Sequence, residues 1–108
     1  MFPKKNRADK KAMEEIFKEG RIINSPNLTF KFILTYNFIS PRISFIAPKS
    51  IAKFAVKRNK LRRLGYRVLK TYMKDFPLEL VGVFVFKKYQ EDTSIIEDEI
   101  KNILNKIN

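Results

Sequence analysis

The chain has no cysteine and no histidine among its 108 residues. Without cysteine, disulfides and thiolate metal sites are excluded, which suits a reducing compartment. Without histidine, the commonest general base and the commonest metal ligand are lost together. No apolar run reaches the length of a membrane span, and the start, Met1-Phe2-Pro3-Lys4-Lys5, lacks the apolar stretch of a signal peptide. A soluble, cytoplasmic protein with no membrane partner is expected. A third absence is local. Between Gly20 and Lys74 there is not one Asp or Glu.

That same stretch holds 13 Lys or Arg residues, and the whole chain carries a formal net charge of +12. An ordinary surface mixes signs to stay soluble. A long segment of one sign implies a polyanionic partner that offsets the self-repulsion. Nucleic acid is favoured over an anionic membrane surface, because the apolar residues are committed to a core rather than to an insertion face. That core is sizeable for the length. Hydrophobic residues make up 44% and there are ten Phe, enough for one domain over 1–108 and too many for a disordered tail.

Periodicity lays out the elements. Asn6 can cap a first helix, with Asp9 in its first turn, and Ala12, Met13, Ile16 and Phe17 fall on one face until Gly20 stops it. A short strand near Ile22 is possible on pattern. Leu28, Phe30, Phe32 and Leu34 then alternate with Thr29, Lys31, Ile33 and Thr35 as a strand. Residues Asn37 to Pro41 punctuate, and a second strand runs from Arg42 to Ala47. A long basic helix follows, starting between Ser50 and Phe54, with an apolar line of Phe54, Leu61, Leu64, Val68 and Tyr72. Gly65 costs it about 1 kcal/mol against Ala. Leu80 to Phe86 is apolar on both faces, as a covered strand would be. Ser94 and Glu97 form a capping-box pattern at the start of a last helix. The prediction is an α+β fold, one sheet with helices packed on it, and the basic helix crossing between strands.

The sharpest local pattern is Ala55-Val56-Lys57-Arg58-Asn59-Lys60-Leu61-Arg62-Arg63. Arg58 and Arg62 stand one turn apart on one helix face, with Asn59 and Arg63 beside them. Two guanidinium forks side by side can each grip a phosphate, and Asn59 can serve a phosphate or a 2′-hydroxyl. A charge run is often only a solvated helix face. Here no acid is present for i,i+4 pairing, which favours a phosphate-binding role.

The same residues resemble the signature of the protein component of bacterial ribonuclease P, in which Ala-Val, any residue, Arg-Asn-Arg, a branched apolar residue and Lys-Arg follow one another. Arg7, Ile16-Phe17 and Gly20 match the family's N-terminal Arg, Val-Phe and Gly. Arg42-Ile43-Ser44-Phe45 with Lys49 resembles its Arg-Val-Gly strand leading into Ser-Lys-Lys. Lys60 replaces the signature's second Arg, Ser50 a Lys, and Tyr66 a frequent Arg. Lys31 replaces an aromatic on the open sheet face, and Met13 a Phe on the first helix.

The resemblance implies an α/β sandwich, a four-stranded sheet with three helices and a left-handed β-α-β crossover through the basic helix. It implies a large catalytic RNA as partner and a holoenzyme that removes the 5′ leader of precursor tRNA, with Mg2+ held mainly by the RNA. The protein alone is expected to be inactive, monomeric in a one-to-one complex, with no catalytic or metal-ligating residue of its own. By resemblance, Lys49, Lys53, Lys57, Arg58, Asn59, Lys60, Arg62, Arg63 and Arg67 contact RNA. Met13, Phe17, Lys31, Ile33 and Ser44 line a cleft for the single-stranded leader.

Two other functions are compatible with the charge. One is a ribosomal or other structural RNA-binding protein. The other is an independent metal-dependent nuclease, which needs converging carboxylates. Glu14 and Glu15 lie on the outer side of the first helix, and Glu97, Asp98 and Glu99 at the start of the last. A helix-dipole or solubility role is expected for these acids.

Overall fold

A computed structural model describes residues 7–35 and 40–107. Asn6, expected to cap the first helix, lies outside them, as does part of the punctuation after the first long strand. Helix α1 (Lys10–Glu19) is capped by Asp9, whose Oδ1 accepts the Ala12 N–H at 2.8 Å. The acid still sits at the positive end of the helix, as its cap rather than within its first turn. Gly20 ends α1 in an extended conformation and donates its N–H to the Ile16 carbonyl at 2.7 Å. A Cβ at Gly20 would run into that carbonyl, so glycine serves here by its small size.

The strands are β1 (Arg21–Asn24), β2 (Leu28–Leu34), β3 (Arg42–Ile46) and β4 (Leu80–Phe86), in the spatial order β1-β2-β4-β3. β2 pairs antiparallel with both β1 and β4, whereas β3 and β4 run parallel. A parallel pair requires a crossover. Helix α2 (Ala55–Tyr72) supplies it, continued by a 3-10 turn at Met73–Asp75. Helix α3 (Thr93–Ile107) follows β4. Three helices and a four-stranded mixed sheet make an α+β fold.

The period of two sorts the strands onto two cores. Leu28, Phe30 and Phe32 of β2 join Ile43, Phe45, Leu80, Phe84 and Phe86 beneath α2 and α3. The rings of Phe30 and Phe45 stack on Phe84 with centroids 4.3 Å and 5.0 Å away. On the opposite face Val81 and Val83 meet Ile16 and Ala8 in a smaller core under α1. β4 is therefore covered on both sides, as its continuous apolar run predicts.

Two helical details differ from the pattern. Along α2 the buried residues are Leu61, Leu64, Gly65, Val68 and Leu69, whereas Phe54 is 68% exposed. The helix starts one residue after Phe54, so the heptad line never extends back to it. Gly65 is where α2 meets β3. A Cβ there would fall 2.6 Å from the Phe45 ring, so the propensity cost is offset by a closer helix–sheet approach. At α3, the Ser94–Glu97 capping box does not form. Asp92 caps instead, accepting the Ser94 N–H at 2.9 Å on Oδ1 and the Ile96 N–H at 3.2 Å on its carbonyl. Glu97 instead accepts the Tyr72 hydroxyl at 2.7 Å across the α2–α3 contact.

Candidate nucleic-acid interface

Because α2 turns its apolar stripe onto the sheet, its remaining faces carry the charge. One flank forms an open groove of about 550 Å³, lined by Asn59, Arg62, Arg63, Tyr66, Arg67 and Lys70 from α2 and by Arg7 from the segment before α1. Among the described residues five cations and no carboxylate line it. Tyr66 organises the β3 side of this groove. Its hydroxyl accepts the Phe45 N–H at 3.0 Å, satisfying a donor on the outer edge of β3 that would otherwise be open. Its ring packs edge-on against Phe45 with centroids 5.1 Å apart. The Arg7 guanidinium lies over the same ring, 5.0 Å from its centroid. A cation from a distant part of the chain thus stands where Tyr66 replaces a helical Arg. Arg62 Nη2 donates to the side-chain Oδ1 of Asn59, which orients both side chains toward the groove.

The other basic residues of α2 serve different surroundings. Arg58 folds back, its Nη1 donating to the carbonyls of Ala52 at 3.0 Å and Lys53 at 2.7 Å. It holds the loop ahead of α2, and it does not line the groove. Lys57 and Lys60 point to the opposite flank, toward the β4–α3 loop. Lys60 Nζ lies 2.8 Å from Glu91, Tyr89 donates its hydroxyl to the same carboxylate at 2.5 Å, and Lys57 Nζ lies 5.7 Å from the Tyr89 ring centroid. The hydrogen bond and charge of Glu91 raise the Lys60 pKa above its ordinary value. The hydrogen bonds from Lys60 and Tyr89 hold Glu91 below the usual carboxylate range. Lys49 and Lys53 are exposed on the β3–α2 loop. Of the residues named from the sequence, Asn59, Arg62, Arg63 and Arg67 come together, and the rest are distributed around the start of α2.

Three groove residues, Tyr66, Lys70 and Arg7, were not named from the sequence as members of this site. Lys70 lies three residues after Arg67 and eight after Arg62, on the same helical stripe, so spacing alone could have found it. Arg7 could not be found that way, since only the tertiary fold carries it to α2.

A second surface lies on the α1 side of the sheet. Phe17 is 50% exposed, and Lys31 Nζ sits 4.7 Å from its ring centroid. Lys31 is flanked across the sheet by Ile22 on β1 and Val83 on β4. Met13, one turn before Phe17, is half-buried in the small core with Ile33. Ile33 points toward a separate cavity of about 250 Å³ that includes Asp9 and Glu15. Ser44 is buried: its hydroxyl accepts the Ala8 N–H at 2.9 Å and donates to the Ala8 carbonyl at 3.2 Å. The exposed Phe17 and the half-buried Lys31 therefore form one unit at the surface. The strand phase adds the exposed Ile22 and the half-buried Thr29, Val85 and Ile46, whose adjacency depends on register and was not legible beforehand.

The acids do not converge. Among the described residues no group of three or more Asp or Glu side chains could hold a metal ion. Glu99 has neither the dipole nor the solubility role expected of it. It is buried, and accepts the Ser25 hydroxyl, the Asn27 N–H at 2.8 Å and the Asn27 side-chain amide at 2.6 Å, tying the β1–β2 turn to α3. Among the described residues no helix is long and apolar enough to cross a membrane.

Fold and surface define a small α+β protein whose basic crossover helix presents a cationic groove. The chain belongs to the ribonuclease P family, matched over residues 2–108, and is by that membership a ribonuclease P protein subunit, a component of an endoribonuclease ribonucleoprotein that acts in tRNA processing. Its fold is similar to that of the RNase P protein from Thermotoga maritima, with 20% identity, 94% of this chain and 97% of that chain covered, and a TM-score of 0.81. It is also similar to a Staphylococcus aureus RNase P protein mutant with defective mRNA degradation activity, with 19% identity, 94% and 87% covered, and a TM-score of 0.82. A second S. aureus RNase P protein structure aligns with 19% identity, 95% of each chain and a TM-score of 0.80. No curated protein matches the chain by sequence closely enough to add to this.

Proposed function

We propose that this protein binds the catalytic RNA of ribonuclease P through the groove on α2, and the 5′ leader of precursor tRNA through the Phe17–Lys31 surface. The observation that carries the reading is the groove itself, in which Arg7, Arg62, Arg63, Arg67 and Lys70 converge with no carboxylate among the described residues. Guanidinium forks on a rigid helix suit the phosphates of a folded RNA. An exposed ring beside an ammonium suits a single strand, where each stacked base contributes about 1–3 kcal/mol. Lys49, Lys53, Lys57 and Lys60 add a positive field around the start of α2, and Arg58 holds the loop that displays two of them.

The protein's part in cleavage is binding and orientation. Among the described residues the groove and the Phe17–Lys31 unit offer cations, rings and neutral groups but no carboxylate, which does not fit a hard divalent cation that prefers carboxylate and water oxygens. Mg2+ that activates the attacking water belongs with the RNA, and the protein alone is inactive. One protein per RNA, in the cytoplasm, is the simplest assembly. The decisive test mixes the purified protein, a ribonuclease P RNA and a precursor tRNA at low magnesium. Stimulated cleavage at the mature 5′ end, with none from the protein alone, supports the reading. Tight RNA binding without stimulation by the cognate RNA would favour a structural RNA-binding role instead.

A further inference from the structure

The start of α2 carries a feature that the groove does not use. Phe54 and Val56 are 68% and 76% exposed, although burying a side chain of this kind is ordinarily favourable by about 1.5–3 kcal/mol. The backbone that displays Phe54 is held in place. Arg58 Nη1 binds the carbonyls of Ala52 and Lys53 directly before it, Ala52 is buried, and the Phe54 carbonyl accepts the Lys57 and Arg58 N–H groups at 3.1 Å and 3.2 Å. Its surroundings are mainly cationic, and the Glu91 carboxylate beside Tyr89 is paired with Lys60 at 2.8 Å. Lys53 Nζ lies 6.0 Å from the Phe54 ring centroid. Lys57, one turn on, reaches over Tyr89, itself 37% exposed. Two exposed aromatic rings, each with a lysine ammonium over it, are thus carried at the start of α2 and on the β4–α3 loop that Lys57 reaches, and neither lines the arginine groove.

We propose that Phe54, with Tyr89 and the ammonium groups of Lys53 and Lys57, is a second RNA contact that stacks an unpaired nucleotide of the ribonuclease P RNA. The argument is charge complementarity joined to shape. An exposed ring among lysines, in a segment with no acid from Gly20 to Lys74, matches a base flanked by phosphates and repels a basic partner. An acidic protein partner would match the charge, but it would have no use for two separate ring faces. The inference rests on the proposal that the partner is this RNA, and adds a contact whose chemistry is stacking rather than phosphate clamping.

The test measures affinity of the full-length protein for its cognate ribonuclease P RNA across a salt series, for Phe54→Ala, Phe54→Trp and Arg62→Ala. Phe54 lies outside the core, so Phe54→Ala should leave the thermal unfolding midpoint in place. Phe54→Ala should weaken binding about tenfold with an unchanged slope of log K against log salt, since a stacked base releases no counterions. Phe54→Trp should restore it. If Arg62→Ala weakens binding and Phe54→Ala does not, the stacking contact is wrong while the RNA reading stands. If neither weakens binding, both fail. If Phe54→Ala instead dissociates a dimer of the free protein, the patch is an interface between copies and the proposal falls.

Discussion

The Arg7 guanidinium lies 5.0 Å from the centroid of the Tyr66 ring, while the hydroxyl of that ring caps the Phe45 N–H on the edge of β3. One side chain therefore closes a sheet edge and seats a groove cation. The two tasks can be separated. Tyr66→Phe should cost about 1 kcal/mol of stability through the lost hydrogen bond and leave RNA affinity nearly intact, because the ring remains. Tyr66→Leu should also lose the seat of Arg7, weakening RNA binding about 2- to 5-fold, the size of an exposed cation–π contact. Urea unfolding and RNA titration measure the two effects. Equal RNA affinity for both variants would mean that Arg7 does not depend on the ring.

Arg62 and Arg58 share a helix face in sequence but have different partners in the fold. Arg62→Ala should reduce the slope of log K against log salt by about 0.7–0.9, one phosphate contact. Arg58→Ala should chiefly destabilise the loop before α2, since two carbonyls lose their donor, at about 1–3 kcal/mol. A slope change for Arg58→Ala as large as that for Arg62→Ala, without loss of stability, would show that Arg58 leaves its carbonyls to clamp RNA.

Lys31 stands over Phe17 on the exposed sheet face. Lys31→Glu should raise the KM for precursor tRNA about tenfold, comparable to one stacked-base contact, and spare the binding of leaderless tRNA. Steady-state kinetics on the two substrates decide it. Equal losses on both would remove this face from leader binding.

Glu91 is held below the usual carboxylate range, first by the hydrogen bond from Lys60 and then by that from Tyr89. A lowered folded pKa means that this contribution to stability is present above the unfolded value near 4.5 and is lost as pH falls through the folded one. The pair is exposed, so its share of stability is small, and the titration itself is the better observable. The Glu91 carboxyl resonance should titrate below that of an ordinary glutamate, and Lys60→Met should move it back toward the ordinary range. An unchanged titration in Lys60→Met would mean that Lys60 does not hold Glu91.

Much of this protein was determined by local sequence. The alternation of Leu28, Phe30 and Phe32 with Thr29, Lys31 and Ile33 placed β2 and its buried face, because successive side chains on a strand must point to opposite sides. The unbroken apolar run Leu80–Phe86 marked a strand covered twice. The acid-free stretch from Gly20 to Lys74, with arginines one turn apart on α2, announced a strongly cationic helix, since like charges that are close in sequence stay close on a helix. Short-range periodicity also has limits, and they show at Phe54 and at Ser94. Both fitted a local pattern, yet the helix begins after Phe54, and Asp92 reaches the free N–H groups of α3 before Ser94 can. Only the tertiary structure decided that Arg7 joins the arginines of α2, that Glu99 disappears beneath the β1–β2 turn, and that Ser44 is covered by Ala8 while Lys31 meets Phe17. Each of these depends on strand register and helix docking. Residues dozens of positions apart meet there because two cores on opposite faces of one sheet draw them together, and no local pattern encodes that.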